Sequence, residues 1–301
     1  MGIIGSNVPT IGGVHKGFEW ASRWGCESIQ IYVTPSRRWE VPPLSKTTID
    51  GFRLAWQKSL VREVVAHVPF LVNLASPNIE LWKKSIQRLV TEITVADQLG
   101  VRFLVLHPGS FVDSTKESGI ARIIMGLKTV LTETENLNVS VLLETMSGQG
   151  SMIGSKFEDL RLILQKVNVP HRLGVCFDTA HVFEAGYDLR GYDGLACVMA
   201  MLDDCIGISN LKVFHLNDSL TDLASRVDRH AALGVGKLGL QVFHALVRDR
   251  RFNDISMILE EPEQKTQSVL DLNILRGLRA HNATLNEVKQ DSFQPELLKG
   301  E

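Results

Sequence analysis

The chain is short of cysteine, has no excess charge of either sign, and carries no long apolar run. Its four cysteines, Cys26, Cys176, Cys197 and Cys205, contain no C-x-x-C pair, which fits reduced thiols in a reducing compartment rather than a disulfide framework. The 32 basic and 34 acidic residues leave a formal charge of -2. A globally basic nucleic-acid binder is thereby excluded, whereas a locally basic cleft is not. No stretch approaches 18 consecutive apolar residues, so no transmembrane helix is expected. The opening residues lack the basic start and apolar stretch of a signal peptide, and the expected location is the cytoplasm. The polar bias of a disordered chain is missing too: 44% of the residues are hydrophobic and 22% charged, ample for a large core.

What is present is an alternation. Short apolar runs cover residues 2–6, 28–33, 64–67, 102–107, 140–144, 173–178, 212–216 and 256–260. They lack the polar–apolar alternation of a half-exposed strand and read as strands of a parallel sheet covered on both faces. Helical periodicity fills the gaps, over 18–24, 49–62, 79–99, 120–131, 156–167, 195–206, 238–248 and 268–280. Eight strand–helix units predict an α/β fold, a single-domain TIM (β/α)₈ barrel over residues 1–281. A doubly wound open sheet is the alternative. A polar, aperiodic tail is expected over 282–301.

On this frame the ionisable residues are not scattered. His67, His107, Glu144, Asp178 and Glu260 each end a run, and His215 lies near the end of another. His181 follows Asp178 by three residues, and Asp228 and His230 lie in the loop after the seventh strand. All strand C-termini of a parallel barrel open on one face, so six strands bring a His, Asp or Glu to one mouth. Five of the nine histidines in the chain belong to this set.

Taken singly, each has an ordinary explanation, as a helix cap, an ion-pair partner or a satisfied polar residue. Together, four carboxylates meeting in a barrel mouth need positive charge. Divalent cations supply it, and nine imidazole and carboxylate groups suffice for two or three of them. The donor set suits Zn²⁺, Mn²⁺ or Fe²⁺ rather than Ca²⁺. Cys176, two residues before Asp178, reads as barrel packing. A polymetal mouth suits phosphate-ester hydrolysis, because the ions can activate water, neutralise phosphate oxygens and stabilise the leaving oxyanion.

The motifs Gly174-Val-Cys-Phe-Asp-Thr-Ala-His181, Ala185-Gly-Tyr-Asp188, His215-Leu-Asn-Asp-Ser219, Ser225-Arg-Val-Asp-Arg-His230, Glu144-Thr-Met-Ser-Gly-Gln-Gly150 and Ile258-Leu-Glu260 all occur in the chain. In their order and spacing the chain resembles the endonuclease IV family, the zinc-dependent apurinic/apyrimidinic endonucleases (AP endonuclease family 2). The resemblance implies three Zn²⁺. His67, His107 and Glu144 would hold the first. Glu144 would bridge to the second, with Asp178, His215 and Glu260, and His181, Asp228 and His230 would hold the third. It also implies hydrolysis of double-stranded DNA 5′ to an abasic site, leaving a 3′-hydroxyl and a 5′-deoxyribose phosphate, and trimming of blocked 3′ ends. Glu260 would orient a metal-bound hydroxide, with Glu144 beside it. Mn²⁺ or Fe²⁺ are possible substitutes, and a monomer is expected.

Candidate DNA contacts lie in loops that follow strands: Arg37, Arg38, Trp39, Phe70, Leu71, Lys156, Arg226, Arg229 and Lys237. Of these, Arg37–Trp39 and Phe70–Leu71 stand where the family places loops that penetrate DNA. Some positions depart from the family pattern. Phe70 stands where tyrosine is usual, Leu220 where lysine is, Ala224 where glycine is, Val235 where a polar residue is and Asn7 where histidine is. These bear on DNA affinity and substrate range and not on the expected ligands. Two other functions are compatible with such a barrel: a metal-dependent sugar isomerase or epimerase, and a non-catalytic DNA- or metal-binding relative.

Overall fold

A computed structural model describes residues 1–260 and 266–280, so the tail expected over 282–301 lies outside the described residues. Eight parallel strands close into a barrel. In chain order they are β1 (Ile3–Asn7), β2 (Ser28–Ile31), β3 (Glu63–His67), β4 (Phe103–Leu106), β5 (Ser140–Glu144), β6 (Leu173–Asp178), β7 (Leu211–His215) and, after a two-stranded ribbon of β8 (Asp218–Ser219) and β9 (His230–Ala231), the last barrel strand β10 (Ser256–Leu259). The ring closes where β1 pairs with β10. Helices α1 (Gly17–Trp24), α2 (Lys46–Lys58), α3 (Ile79–Leu99), α4 (Lys116–Glu133), α5 (Phe157–Val167), α6 (Thr179–Ala185), α7 (Gly191–Cys205), α8 (Leu240–Arg248) and α9 (Thr266–Arg279) surround it. This is the expected TIM barrel.

Local chemistry sets the element ends. Gly25 and Gly100 terminate α1 and α3 in the left-handed conformation, which glycine adopts without a Cβ penalty. Three helices, α2, α4 and α7, begin earlier than their apolar periodicity suggests, and the first two have side-chain caps. Ser45 caps α2 by accepting from the Thr48 backbone N–H, and Thr115 caps α4 by accepting from that of Ser118. Polar first turns carry no apolar signal, so the caps mark the true starts.

Two cores result. The larger lies between the sheet and the helices. The smaller is a plug inside the barrel made of Val65, Val105, Leu142, Cys176, Val213 and Ile258. Cys176 is thus packing, as expected. Side chains alternate along a strand, so the residue two positions beyond each plug member points into the same interior, nearer the mouth. Those six residues are His67, His107, Glu144, Asp178, His215 and Glu260.

At the opposite end of the barrel, a charged clasp ties the last helix to the first strands. Arg279 of α9 donates to the Glu27 carboxylate, with one contact of 2.7 Å, and to the Gly2 carbonyl at 3.1 Å. Glu27 also accepts from the Ile4 backbone N–H at 3.3 Å. Burial pushes the Glu27 carboxyl up, but the Arg279 guanidinium outweighs it and holds the group below the usual carboxylate range. A depressed folded-state pKa stabilises above the unfolded value and is lost as pH falls through the folded one. Glu27→Gln should therefore lower stability near neutral pH by about 1 kcal/mol, a modest figure because the pair is partly solvated. The difference from the parent should vanish below the usual carboxylate range. Denaturant melts at neutral and acid pH check both the size and the sign.

Candidate metal centre

Three kinds of local structure deliver the side chains. The six strand-end residues follow from barrel alternation. His181 comes from α6, whose N-cap is Asp178: its Oδ1 accepts from the His181 backbone N–H at 2.8 Å. One carboxylate thus starts the helix with one oxygen and faces the mouth with the other. Asp228 and His230 arrive on the segment that folds back through the β8–β9 ribbon, where Ser219 pairs with His230.

Buried acids hold that segment. Asp218 accepts from the backbone N–H groups of Ser219, Gly234, Gly236 and Leu238 at 2.9–3.2 Å. A Cβ on Gly236 would sit 2.4 Å from Asp218 Oδ1 and from the Ser219 carbonyl, so only glycine fits. Glu184 accepts from Ser219 Oγ at 2.6 Å and from the Arg229 backbone N–H at 3.2 Å. Gln149 Oε1 accepts from the Asp228 backbone N–H at 2.8 Å.

The structure brings all nine residues together. Ligand atoms lie within 4.8 Å of one another in three overlapping groups: His67, His107 and Glu144; Glu144, Asp178, His215 and Glu260; and Asp178, His181 and His230. Glu144 is the hub. Its Oε2 is 3.2 Å from His67 Nε2 and 3.0 Å from His107 Nε2, and its Oε1 is 2.9 Å from His215 Nδ1. His215 Nδ1 is also 3.1 Å from Glu260 Oε2. Asp228 lies beside the third group, its carboxylate 3.2 Å from His181 Nε2 and 3.6 Å from His230 Nε2. The geometry therefore adds Asp178, 3.8 Å from His230 Nε2, to the set His181, Asp228 and His230.

The imidazoles are pre-oriented. His67, His181 and His230 place Nδ1 against backbone carbonyls, those of Val68 at 2.8 Å, Thr145 at 2.9 Å and Glu260 at 3.3 Å. Donation from Nδ1 leaves Nε2 bare and turned inward. The Nε2 atoms of His181 and His230 are buried without a hydrogen-bond partner. Lone pairs left unsatisfied beside carboxylates fit a divalent cation, and the all-nitrogen-and-oxygen set fits Zn²⁺, Mn²⁺ or Fe²⁺.

Electrostatics points the same way. Burial pushes the Glu144 carboxyl up, but the imidazoles of His107 and His215 outweigh it and hold it well below the carboxylate range. Burial pushes His181 down, yet Asp178 and Asp228 drive it well above the ordinary imidazole value. At Asp178 burial wins, and the carboxyl is raised despite His181 and His230. The pocket thus has a strong demand for positive charge.

Sequence reasoning overlooked two amides that bind these groups. Gln30 Nε2 donates to Glu260 Oε1 at 2.6 Å, and Gln30 Oε1 lies 2.8 Å from His215 Nε2. Asn217 Nδ2 donates to Asp178 Oδ2 at 2.6 Å, and its Oδ1 accepts from the Glu260 backbone N–H at 3.0 Å. Gln30 lies two residues beyond Ser28 on β2, the spacing that marks the other strand-end residues. A search for titratable groups passes over it.

The expected DNA contacts all lie in loops after strand C-termini, on the face of the mouth. Phe70 is 73% exposed, and its ring centroid is 5.1 Å from that of His107 and 6.1 Å from that of His67. Leu71 and Trp39 are half-buried, and Arg37, Arg38, Lys156, Arg226 and Arg229 are at least partly exposed. Lys237 is exposed and 3.5 Å from Asp222. Arg226 holds a left-handed backbone, φ 55°.

The loop carrying Arg37 to Trp39 rests on a buried ion pair. Arg88 of α3 is 2% exposed; it donates to Glu92 at 2.7 Å, to the carbonyls of Trp39 at 3.1 Å and Pro35 at 3.0 Å, and to the Arg38 carbonyl and Thr34 Oγ1.

The chain is similar to several known proteins. A family profile described as xylose isomerase-like TIM barrel matches residues 18–278. The probable endonuclease 4 of Chloroflexus aurantiacus is 40% identical over 277 residues, covering 91% of this chain and 97% of that one. A protein named apurinic-apyrimidinic endonuclease from Caenorhabditis elegans is 36% identical, covering 87% of this chain and 67% of its own length. The crystal structure of endonuclease IV from Thermus thermophilus superimposes with a TM-score of 0.80 at 32% identity, covering 91% of this chain and 98% of that one.

Removing Arg88 would strand Glu92 in the core and release four backbone or hydroxyl acceptors. Arg88→Met should destabilise the protein by roughly 3 kcal/mol, the scale for breaking a buried pair from one side. Arg88→Met/Glu92→Leu should recover part of that loss. Thermal melts of the two variants decide it: equal stability would show that the pair is not what holds the loop.

Proposed function

The chain belongs to the endonuclease IV family of xylose isomerase-like TIM barrels, and from that premise we propose that it is a DNA-repair hydrolase acting on double-stranded DNA at abasic sites. It cleaves the phosphodiester 5′ to the lesion, leaving a 3′-hydroxyl and a 5′-deoxyribose phosphate, and it also trims blocked 3′ ends. The observation that carries this reading is the meeting of five imidazoles and four carboxylates at one mouth, two imidazole nitrogens among them buried and bare.

His67, His107 and Glu144 would hold one Zn²⁺. Glu144, Asp178, His215 and Glu260 would hold a second. His181, Asp228 and His230, with Asp178 at hand, would hold a third. Bound divalent ions supply charge to neutralise phosphate oxygens and to acidify water; Mn²⁺ or Fe²⁺ would supply the same chemistry. Glu260 would orient the attacking water, since Gln30 and His215 restrain its two oxygens separately. Glu144 spans the first two groups with its two oxygens and fixes their spacing.

The exposed Phe70 ring beside His107 is placed to fill the gap left by an extruded nucleotide, with Leu71 and Trp39 behind it. Arg37, Arg38, Arg226, Arg229, Lys156 and Lys237 would meet the phosphates. Their charges are local, and so the near-neutral total is no obstacle. The enzyme would act as a monomer in the cytoplasm, a reducing compartment that suits its free cysteines.

A duplex bearing one abasic analogue should be cut by metal-loaded protein. His107→Ala and Glu144→Gln should each lower the rate at least about 100-fold while the fold persists, because each removes a group that no neighbour replaces. Wild-type rates in either variant, or turnover of keto-sugars in place of incision, would overturn the assignment. Chelation should inactivate slowly and lower the melting temperature, since ions bound only by the folded state stabilise it. Full activity in protein shown by metal analysis to be metal-free contradicts both.

A further inference from the structure

Strands β1 and β2 bring no imidazole or carboxylate to the mouth, yet β2 reaches it through Gln30. This side chain is 1% exposed, and both ends of its amide are engaged. Only one orientation of the amide serves both partners. Turned about, its oxygen would face the Glu260 carboxylate at 2.6 Å, acceptor against acceptor. With the oxygen on the His215 side, the His215 ring must donate from Nε2, and its lone pair then lies on Nδ1. That nitrogen is the one aimed at Glu144, Glu260 and Asp178, at 2.9, 3.1 and 3.8 Å.

His215 is thereby the reverse of His67, His181 and His230, which turn Nε2 inward and rest Nδ1 on backbone carbonyls. A backbone carbonyl is held by the fold itself. The outer nitrogen of His215 relies on a side chain instead.

We infer that Gln30 is a positioning residue for the second cation site. It sets the tautomer of His215 and holds Glu260 Oε1, so the site of Glu144, Asp178, His215 and Glu260 depends on a strand that contributes no ligand. The inference rests on the metal-centre reading above and deepens it. Asn217, which donates to Asp178 and whose Nδ2 lies 3.3 Å from Glu260 Oε2, steadies the opposite side; its amide is engaged by Asp178 and Glu260, and the partner of His215 Nε2 is Gln30.

Two variants separate the two hydrogen bonds. Gln30→Met keeps length and bulk and removes both. Gln30→Glu keeps an acceptor for His215 but sets a carboxylate against Glu260. Metal-free wild type and both variants are titrated with Zn²⁺ against a chromophoric chelator, with circular dichroism to follow the fold and abasic-duplex incision to follow kcat and KM. Gln30→Met should weaken one Zn²⁺ about 10–100-fold and leave the others tight. Gln30→Glu should bind Zn²⁺ within about 10-fold of wild type, since the carboxylate still orients His215, yet cut at least about 10-fold more slowly through kcat with KM little changed.

Wild-type Zn²⁺ affinity in Gln30→Met overturns the inference, and so does a loss in Gln30→Glu as deep as in Gln30→Met. Should Gln30→Met fail to fold, Gln30→Glu against wild type decides alone: retained Zn²⁺ with lowered kcat supports the inference, and any other pattern ends it. Wild type that binds Zn²⁺ but leaves abasic duplex intact overturns the proposed function and leaves this inference to the titration. Wild type that binds no Zn²⁺ overturns both.

Discussion

Alternation inside a closed parallel barrel is the constraint on which everything else depends. Residues two apart on a strand share the interior, so an apolar layer of Val65, Val105, Leu142, Cys176, Val213 and Ile258 obliges the next interior position to lie directly above it. In this chain that position is occupied by ionisable groups on six strands. The plug excludes water from below, which raises the cost of every charge above it and strengthens each attraction between unlike ones. Opposing pKa displacements at Glu144, His181 and Asp178 follow from that one arrangement. Cavity size would not have located this place. A cavity of about 710 Å³ lies between α1 and α2, lined by His15, Arg23 and Lys58 among others, at the end of the strands away from the mouth.

Much of this was legible in the residues, because two periods carry the information. Continuous apolar runs mark the eight barrel strands to within a residue or two, and the titratable residue at the end of six of them marks the mouth. Features with no period escaped. Helix α6 and the β8–β9 ribbon are too short to repeat, and the early starts of α2 and α4 are written in their caps and not in apolar spacing. Gln30 obeys the alternation rule but carries no charge, and Arg88 acts from a helix on a loop 50 residues away. Neither contact has a local signature. The sharing of Asp178 between two groups is equally invisible in a linear chain, for it depends on which oxygen the α6 N-cap leaves free.

The loops show a division of labour. Buried acids hold backbone N–H groups: Asp218 and Glu184 keep the segment carrying Asp228 and His230 in place, and the Arg88–Glu92 pair holds carbonyls under Arg37 to Trp39. Asp218 and Arg88 are each satisfied by several partners, most of them main-chain, the arrangement that makes a buried charge tolerable, whereas Glu184 relies on the hydroxyls of Ser219 and Thr221 besides the Arg229 N–H. Loops after the strands can then present exposed basic and aromatic side chains without losing the geometry of the mouth beneath.

The seam of the barrel has a consequence for how the protein is made. Glu260 follows β10, the last barrel strand, and meets Gln30 on β2, the second, across the pairing of β1 with β10. During synthesis the group of His67, His107 and Glu144 emerges long before Glu260, which completes the neighbouring group of Glu144, Asp178 and His215. A partly translated chain therefore holds only pieces of the centre. If the finished enzyme cuts nucleic acid, ring closure acts as a built-in safeguard, delaying that capacity until the whole barrel exists.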